Sequence, residues 1–460
     1  MDRPPNIRLM RAIEQSGLSY DDLARAVRAV ATASGDAGIR TSKSNIAYWV
    51  RGAAPNFRTA RYLLEVLSRQ LARPLTLEDI GLLSVRQDSE PEDLGLTVEG
   101  DPVETLGWIG RADIERRTFL TRAAYSVAGA ALPLDAAHEI EERTRRAVSG
   151  GTAGASEVEA VRDMVAMFTA IDERHGGQHG RSTVVQYLTD DVKRLCNSRF
   201  QTQAQRQEMY SAAGSLAYLA GWKAYDAGEH GLAQRYYLQA FSLARRADNP
   251  TDQAYVLRIL AHHGMDNGRP EHVLGLAEKA VSLSRGKVDP VTESLFVICR
   301  ARALAESERF TDAHREAERA RELAARGDRA EKGWATLWGA PSATVDAHTA
   351  KIHERLGDHA AAEAHHASAR KRYGSTKHQR IAALSAAAEG HAQLRQGQIE
   401  RACGTWGQAL DSMTGIRSSR TRKAVRSIRA DLARFQARGA RPALELDERA
   451  RTWLHQAARP

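Results

Sequence analysis

Five side chains able to bind anions or to stack against flat groups recur through the second half of this chain at one spacing. Trp222, His262, Arg302, Lys351 and His391 follow one another at forty-residue intervals, one of which is lengthened by nine. Four residues before each stands a second row: Tyr218, Arg258, Ile298, Ala347 and Ala387. The guanidinium and ammonium groups of Arg258, Arg302 and Lys351 are suited to carboxylates or phosphates. The rings of Tyr218, Trp222, Tyr225 and Tyr255 are suited to an apolar side chain. Together with His262 and His391, these residues would take a short peptide or a small acidic metabolite. The bland alternative is a basic surface that only holds water.

Other chemistry finds little support. The sequence holds no G-x-x-x-x-G-K-[ST] phosphate loop, no G-x-S-x-G elbow and no dinucleotide fingerprint. Lone histidines such as His263, His365 and His366 suit helix packing or a surface. No catalytic residue, enzyme activity or cofactor is therefore expected. His175 and His179 are four apart, a metal-ligand spacing on a helix. Gly176 and Gly177 lie between them and break a helix, so a glycine-terminated helix end is expected there and no metal.

The elements that must position the two rows are legible from small residues at the same period. Gly228, Gly268, Gly357 and Gly397 share one phase, with Glu308 in the third copy. Five residues on stand Ala233, Val273, Ala313, Ala362 and Ala402, and seven further on Ala240, Ala280, Ala320, Ala369 and Ala409. Small residues at fixed offsets are what two packed helices need where their backbones approach. Each unit is then a helix pair that cannot bury its apolar face alone, and neighbours must stack. The copies resemble tetratricopeptide (TPR) repeats stretched from 34 to about 40 residues. That family's small position in the first helix falls on Gly221, Ala261, Ala301, Ala350 and Gly390. In such arrays the first helix of each pair lines a concave groove, so the resemblance implies that the two rows form a stripe there, aromatic at one end and basic through the middle.

The first eighty-odd residues read as a separate helical domain. Asn6 to Ser16 forms a helix with Ile7, Met10 and Ile13 inward, and Gly17 ends it. Ser19 caps a second helix carrying Leu23, Ala24, Val27 and Val30. A loose segment then leads to the run Thr41 to Gly52, followed by Pro55 and an apolar helix from Phe57 to Gln70. This order resembles the Xre/Cro-type helix-turn-helix family, whose recognition helix enters the major groove N-terminus first. The resemblance implies that Lys43, Ser44, Asn45 and Tyr48 meet base edges, Lys43 suiting guanine and Asn45 adenine. It places Arg40, Ser42, Arg51 and Arg58 near phosphates. Ile46 with Trp49 or Val50 would face the core. Two features depart from the family pattern: a longer turn before the third helix, and Val50 where an acidic residue is common. The alternative is a helical capping domain that reads no DNA.

The fold class expected is all-α, with a helix-turn-helix domain over 1–84, an acidic linker over 85–117, connecting helices over 118–200, TPR-like repeats over 201–415 and capping helices over 416–460. Within the connecting segment, Arg116-Arg-Thr-Phe-Leu120 and the alanine-rich run to Pro133 imitate a twin-arginine export signal. More than a hundred residues precede it, so a buried or amphipathic helix is expected instead. The 460 residues carry a formal charge of +9, which permits an anionic partner. No apolar run is long enough to cross a membrane. Cys196, Cys299 and Cys403 are odd in number and far apart, which suits a reducing cytoplasm.

With the Asp172 to His179 phrase and the Arg-Arg-x-Phe-Leu segment, the whole chain resembles actinobacterial regulators of the NsdA type, and its head-and-solenoid plan is similar to the RRNPP-type peptide receptors. The resemblance implies a cytoplasmic, nucleoid-associated regulator that binds a double-stranded DNA operator, forms a homodimer through its body, and answers to a peptide or small-molecule effector. A protein-interaction scaffold is the alternative.

Overall fold

A computed structural model describes residues 4–33, 36, 38–71, 73, 75–82, 95, 96, 98, 100–114, 152–268, 272–327, 333–338, 340–374, 378–436 and 441–457. The acidic, proline-containing run Asp88 to Asp93 of the expected linker and the twin-arginine-like segment lie outside them. The chain divides into two compact units, one of residues 1–147 and 229–239, the other of 148–228 and 240–460.

In the first unit, four helices build a small core: α1 (Ile7–Ser16), α2 (Tyr20–Ala33), α3 (Lys43–Val50) and α4 (Phe57–Gln70). Leu9, Ile13, Leu23, Val27, Ile46, Leu63 and Ile80 are buried together there. Polar caps set the helix ends. Asn6 accepts from the Leu9 N–H, Ser19 from Asp22, Ser42 from Asn45 and Asn56 from Thr59. Gly17 closes α1 in the left-handed conformation. Ile7 differs from expectation: it is half exposed, and Leu9 and Ala12 join Ile13 inside. Asn6 starts the helix one residue before Ile7, and this phase points Leu9 at the core. Trp49 and Val50 are both buried.

The long turn before α3 is braced. Asp36, almost fully buried, accepts from the Tyr62 hydroxyl at 3.2 Å and the Gly38 N–H at 3.2 Å, and pairs with Arg58 at 2.5 Å. Arg28 donates to the Thr41 carbonyl at the other end of the turn.

Pro102–Ile114, read from sequence as the end of a linker, is a helix (α5) with Val103, Leu106 and Ile109 buried. These residues recur every three, and the acidic and proline-rich flanks obscure that pattern. α5 packs in the first unit, where Tyr236 donates to Asp113 at 3.0 Å and Gln239 to the Gly95 carbonyl at 3.2 Å.

The second unit begins with a two-residue parallel pairing, Thr152–Ala153 (β1) with Arg199–Phe200 (β2). It continues through α6 (Ala155–His175), α7 (Arg181–Tyr187), a π-helical turn at Leu188–Val192 and α8 (Lys193–Cys196). The array follows: α9 (Gln203–Asp226), α10 (His230–Arg246), α11 (Pro250–Asp266), α12 (Val273–Ser284), α13 (Pro290–Glu306), α14 (Phe310–Ala324), α15 (Ala335–Trp338), α16 (Pro341–Leu356), α17 (His359–Gly374), α18 (Gln379–Arg395), α19 (Ile399–Met413), α20 (Ser419–Gln436) and α21 (Arg441–Ala457). α10 begins in the first unit and ends in the second.

The periodic small residues are packing residues. Ala240, Ala280, Ala320, Ala369 and Ala409 are fully buried, and so are Ala261, Ala301 and Ala350 in the first helices. A Cβ on Gly390 would fall 2.4 Å from Trp406 Nε1, so this position admits only glycine. The last pair continues the stacking, with Val425, Ile428, Leu432, Leu446 and Trp453 in one cluster with Ala383, Trp406 and Leu410.

The array returns on itself. Arg380, at the start of α18, donates to Asp172 of α6 at 2.7 Å and to Asp226 of α9 at 3.3 Å. Ser418 donates to Asp226 at 2.8 Å, and the Arg417 N–H to the His175 carbonyl at 2.9 Å. Gly176 and Gly177 serve this closure: a Cβ at either would fall within 2.7 Å of backbone oxygens of Arg417 or Lys223. The glycines between His175 and His179 thus let the last hairpin reach the first.

Candidate functional site

Two groups of residues need placing, the α3 face of the head and the inner rows of the array. α3 carries a capping box: Ser42 accepts from the Asn45 N–H, and Asn45 Oδ1 accepts from the Ser42 N–H at 2.9 Å and from its hydroxyl at 2.7 Å. Ile46, Trp49 and Val50 hold one side in the core. The opposite side leaves Lys43, Ser44, Tyr48 and Arg51 exposed, with Arg40 and Ser42 exposed just ahead. Tyr48 is 64% exposed, unusual for so large a ring. Lys43, Arg40 and Arg51 form no ion pair among the described residues. Residues 1–82 hold twelve Lys and Arg against eight Asp and Glu, an excess of four positive charges.

Two residues do not meet expectation. The Oδ1 atom of Asn45, which a two-bonded contact to adenine requires, is spent on the cap. Arg58 is not a free phosphate cation, because the buried Asp36 carboxylate holds its Nε.

The inner rows of the array come together, but not as an open groove. Tyr218 and Tyr255 are buried beneath Trp334 and Trp338, with Tyr218 4.5 Å from Trp338 and Tyr255 6.4 Å from Trp334 between ring centroids. Both tryptophans sit in the interval lengthened by nine. They fill the aromatic end of the stripe, which corrects the expectation that it receives an external side chain. Gly214 is bare where Trp334 approaches.

The basic middle is matched internally. Asp266 accepts from Tyr225 at 2.6 Å, Arg302 at 2.7 Å and Lys351 at 3.1 Å, and lies 3.2 Å from His262 Nε2. Burial pushes its carboxyl up, and His262, Lys351 and Arg302 overcome this and hold it well below the usual range. Burial holds the His262 imidazole down to about 4 and His348 well below its ordinary value, so both rings are neutral at pH 7. Arg302 also faces Glu306 at 3.9 Å. The expectation that Arg302 and Lys351 stand free for a ligand is corrected on this point.

Trp222 lies between two cations, Arg420 at 5.4 Å and Arg380 at 5.9 Å. Arg258 lies over Tyr255 at 5.5 Å. His391 is apart from these, paired with Asp431 at 2.9 Å. Sequence reasoning missed Asp266, Asp172, Arg380, Arg420, Trp334 and Trp338. One signal was present: Asp226, Asp266 and Glu306 recur at forty, four residues after the basic row.

The chain is all-α, a helical head with a helical-repeat body. The family described as SP15 N-terminal domain matches residues 9–83, the four-helix part of the head. No curated protein matches the chain. Among solved structures, the chain is similar to the crystal structure of BtubC (BKLC) from P. vanneervenii, with 15% identity, a TM-score of 0.36 and 51% of this chain covering 90% of that one. It is also similar to a Rap protein complexed with Competence and Sporulation Factor, with 13% identity, a TM-score of 0.40 and 80% of this chain covering 99% of that one. Among the described residues no helix is long and apolar enough to cross a membrane.

Proposed function

We propose that this protein is a cytoplasmic, nucleoid-associated transcriptional regulator without catalytic activity, whose head binds double-stranded DNA and whose repeat body dimerises and senses a small effector. The observation that carries the reading is the α3 face: a capped helix, one side anchored in the core, presenting Lys43, Ser44 and Tyr48 with Arg40 and Arg51 as flanking unpaired cations. That arrangement fits a helix laid N-terminus first in a major groove, where early polar side chains read base edges and cations meet phosphates. The resemblance to Xre/Cro-type heads and to NsdA-type regulators supports it. In a dimer, two heads would read half-sites about one helical turn apart. An effector favouring one dimer geometry would shift operator affinity by its differential binding energy.

The test is sequencing of genomic fragments retained by the purified protein at about physiological salt, where non-specific phosphate binding is weak. A two-fold symmetric motif is expected, with discrimination lost in a Lys43→Ala/Tyr48→Ala variant. Binding that is only salt-sensitive and shows no enriched motif would sink the regulator and leave a protein-interaction scaffold.

A further inference from the structure

Two guanidinium groups inside the body close no ion pair among the described residues, although Asp226 and Asp266 act on one of them, Arg420, from further off. Arg302 and Lys351 are matched by Asp266 and Glu306, and Lys223 and Arg380 by Asp172, Glu173 and Asp226. Arg258 donates its Nε to the Leu295 carbonyl at 3.2 Å and lies over the face of Tyr255. Arg420 lies over Tyr225 at 5.1 Å and over Trp222, and its Nη1 is buried with no hydrogen-bond partner. His348 adds a buried Nδ1 that is likewise unpartnered.

These groups share one region. The His348 ring lies 5.3 Å from that of His262, tilted by 32°, and His262 lies beside Asp266. Arg258 stands one turn before His262 on α11, and Arg420 lies over Tyr225, whose ring centroid is 6.5 Å from that of His262. Water reaches the region: Trp222, Arg258, His262, Asp266 and Arg420 are part-exposed, and the Lys351 side chain is one-third exposed. Part-buried guanidinium and imidazole groups whose polar atoms lack hydrogen-bond partners are unfavourable unless something completes them.

We propose that Arg258 and Arg420, with His348, form a binding site for a small anion bearing several carboxylate or phosphate oxygens. Two unpaired guanidinium groups supply forks for such oxygens, and the aromatic faces of Tyr225, Trp222 and Tyr255 hold those forks in place. Asp266 already satisfies Arg302 and Lys351, so the incoming anion takes the cations it leaves over. Trp334 and Trp338 occupy the neighbouring aromatic end, which limits the ligand to a compact molecule. This inference names the effector class of the sensing role proposed above and rests on it.

The test uses the full-length protein with inorganic phosphate and citrate as probes and chloride at matched ionic strength as the control, read by calorimetric titration and thermal shift. Phosphate or citrate is expected to bind saturably and raise the melting temperature. Arg258→Gln and Arg420→Gln should each weaken binding at least tenfold, and the surface change Arg441→Gln should leave it unchanged. Phosphorus NMR line-broadening of phosphate by the unmodified protein gives a readout independent of any variant's folding. No saturable response to either anion, or equal binding by Arg420→Gln, would overturn the site. The genomic-fragment experiment separates the two readings. An enriched operator without anion binding removes only the anion site, and anion binding without an operator removes the regulator and leaves the site.

Discussion

Four groups converge on the two oxygens of Asp266, Arg302 and Lys351 on one and Tyr225 and His262 on the other. Removing the carboxylate leaves the buried Arg302 with only Glu306 at 3.9 Å and the one-third-exposed Lys351 without its partner, which costs up to about 3–5 kcal/mol. Asp266→Asn should therefore lower the urea-unfolding stability by that amount, and a loss below about 1 kcal/mol would show that the hub is incidental. Two buried groups, His262 of this hub and Asp252 outside it, set opposite pH dependences. His262 has an ordinary value of 6.5 and is held at about 4, so its contribution is complete above 6.5 and is lost as pH falls towards 4. Burial raises Asp252 from 3.8 to about 7, so its contribution is present below 3.8 and is lost as pH rises towards 7. In the window between 4 and 6.5 the two slopes oppose. Asp252→Asn should make the urea midpoint climb more steeply with pH across that window than it does in the parent. Hub residues were half legible in the sequence: the rows of Arg302 and Asp266 share a period, but only the fold shows that they face each other across neighbouring repeats.

At the scale of elements, the turn after each first helix needs a left-handed residue. Gly228, Gly268, Gly357 and Gly397 supply it with φ between 64° and 84°, and Glu308 adopts φ 61° in the third copy. A left-handed side-chain residue costs roughly 1–2 kcal/mol, and glycine gives back part of that gain as unfolded-state entropy. Glu308→Gly should be neutral or stabilising by up to about 1 kcal/mol, while Gly357→Glu should destabilise by about 1–2 kcal/mol. Matched chemical denaturation of the two variants checks the pair. The sequence placed these turns because the period survived the glutamate. Helix α5 escaped notice because its apolar positions are few and its flanks are acidic. The lengthened interval was visible as a nine-residue shift, but its purpose lies in where Trp334 and Trp338 land. The capping box of α3 stabilises its N-terminus, so Ser42→Ala should cost about 1 kcal/mol. On the DNA-binding reading proposed above, fragment retention by that variant should fall as the helix frays, which a comparison with circular dichroism would resolve.

At the scale of the body, stability is not a sum of independent repeats. An open array unfolds by losing neighbours one interface at a time. Here the Arg380 guanidinium joins the fifth hairpin to α6 and α9, and Ser418 joins the sixth to α9. Arg380→Met removes a buried cation that meets Asp172, Asp226 and Glu173. It should lower the melting temperature and broaden the transition as the two ends uncouple. A transition that stays equally sharp would argue that the closure adds nothing to cooperativity. Closure was invisible in the sequence, since nothing local marks Asp172 and Arg380 as partners.

That separation also orders the events of folding. Each hairpin joins helices a few residues apart and can form within its own stretch of chain, whereas the bond between Arg380 and Asp172 spans 208 residues. Loop-closure entropy grows only as the logarithm of length, so the sealing step is slow to find but modest in cost once the hairpins are stacked. The hairpins are then the early structure and the seal the late one. Mutations at Arg380 should speed unfolding and leave the refolding rate almost unchanged.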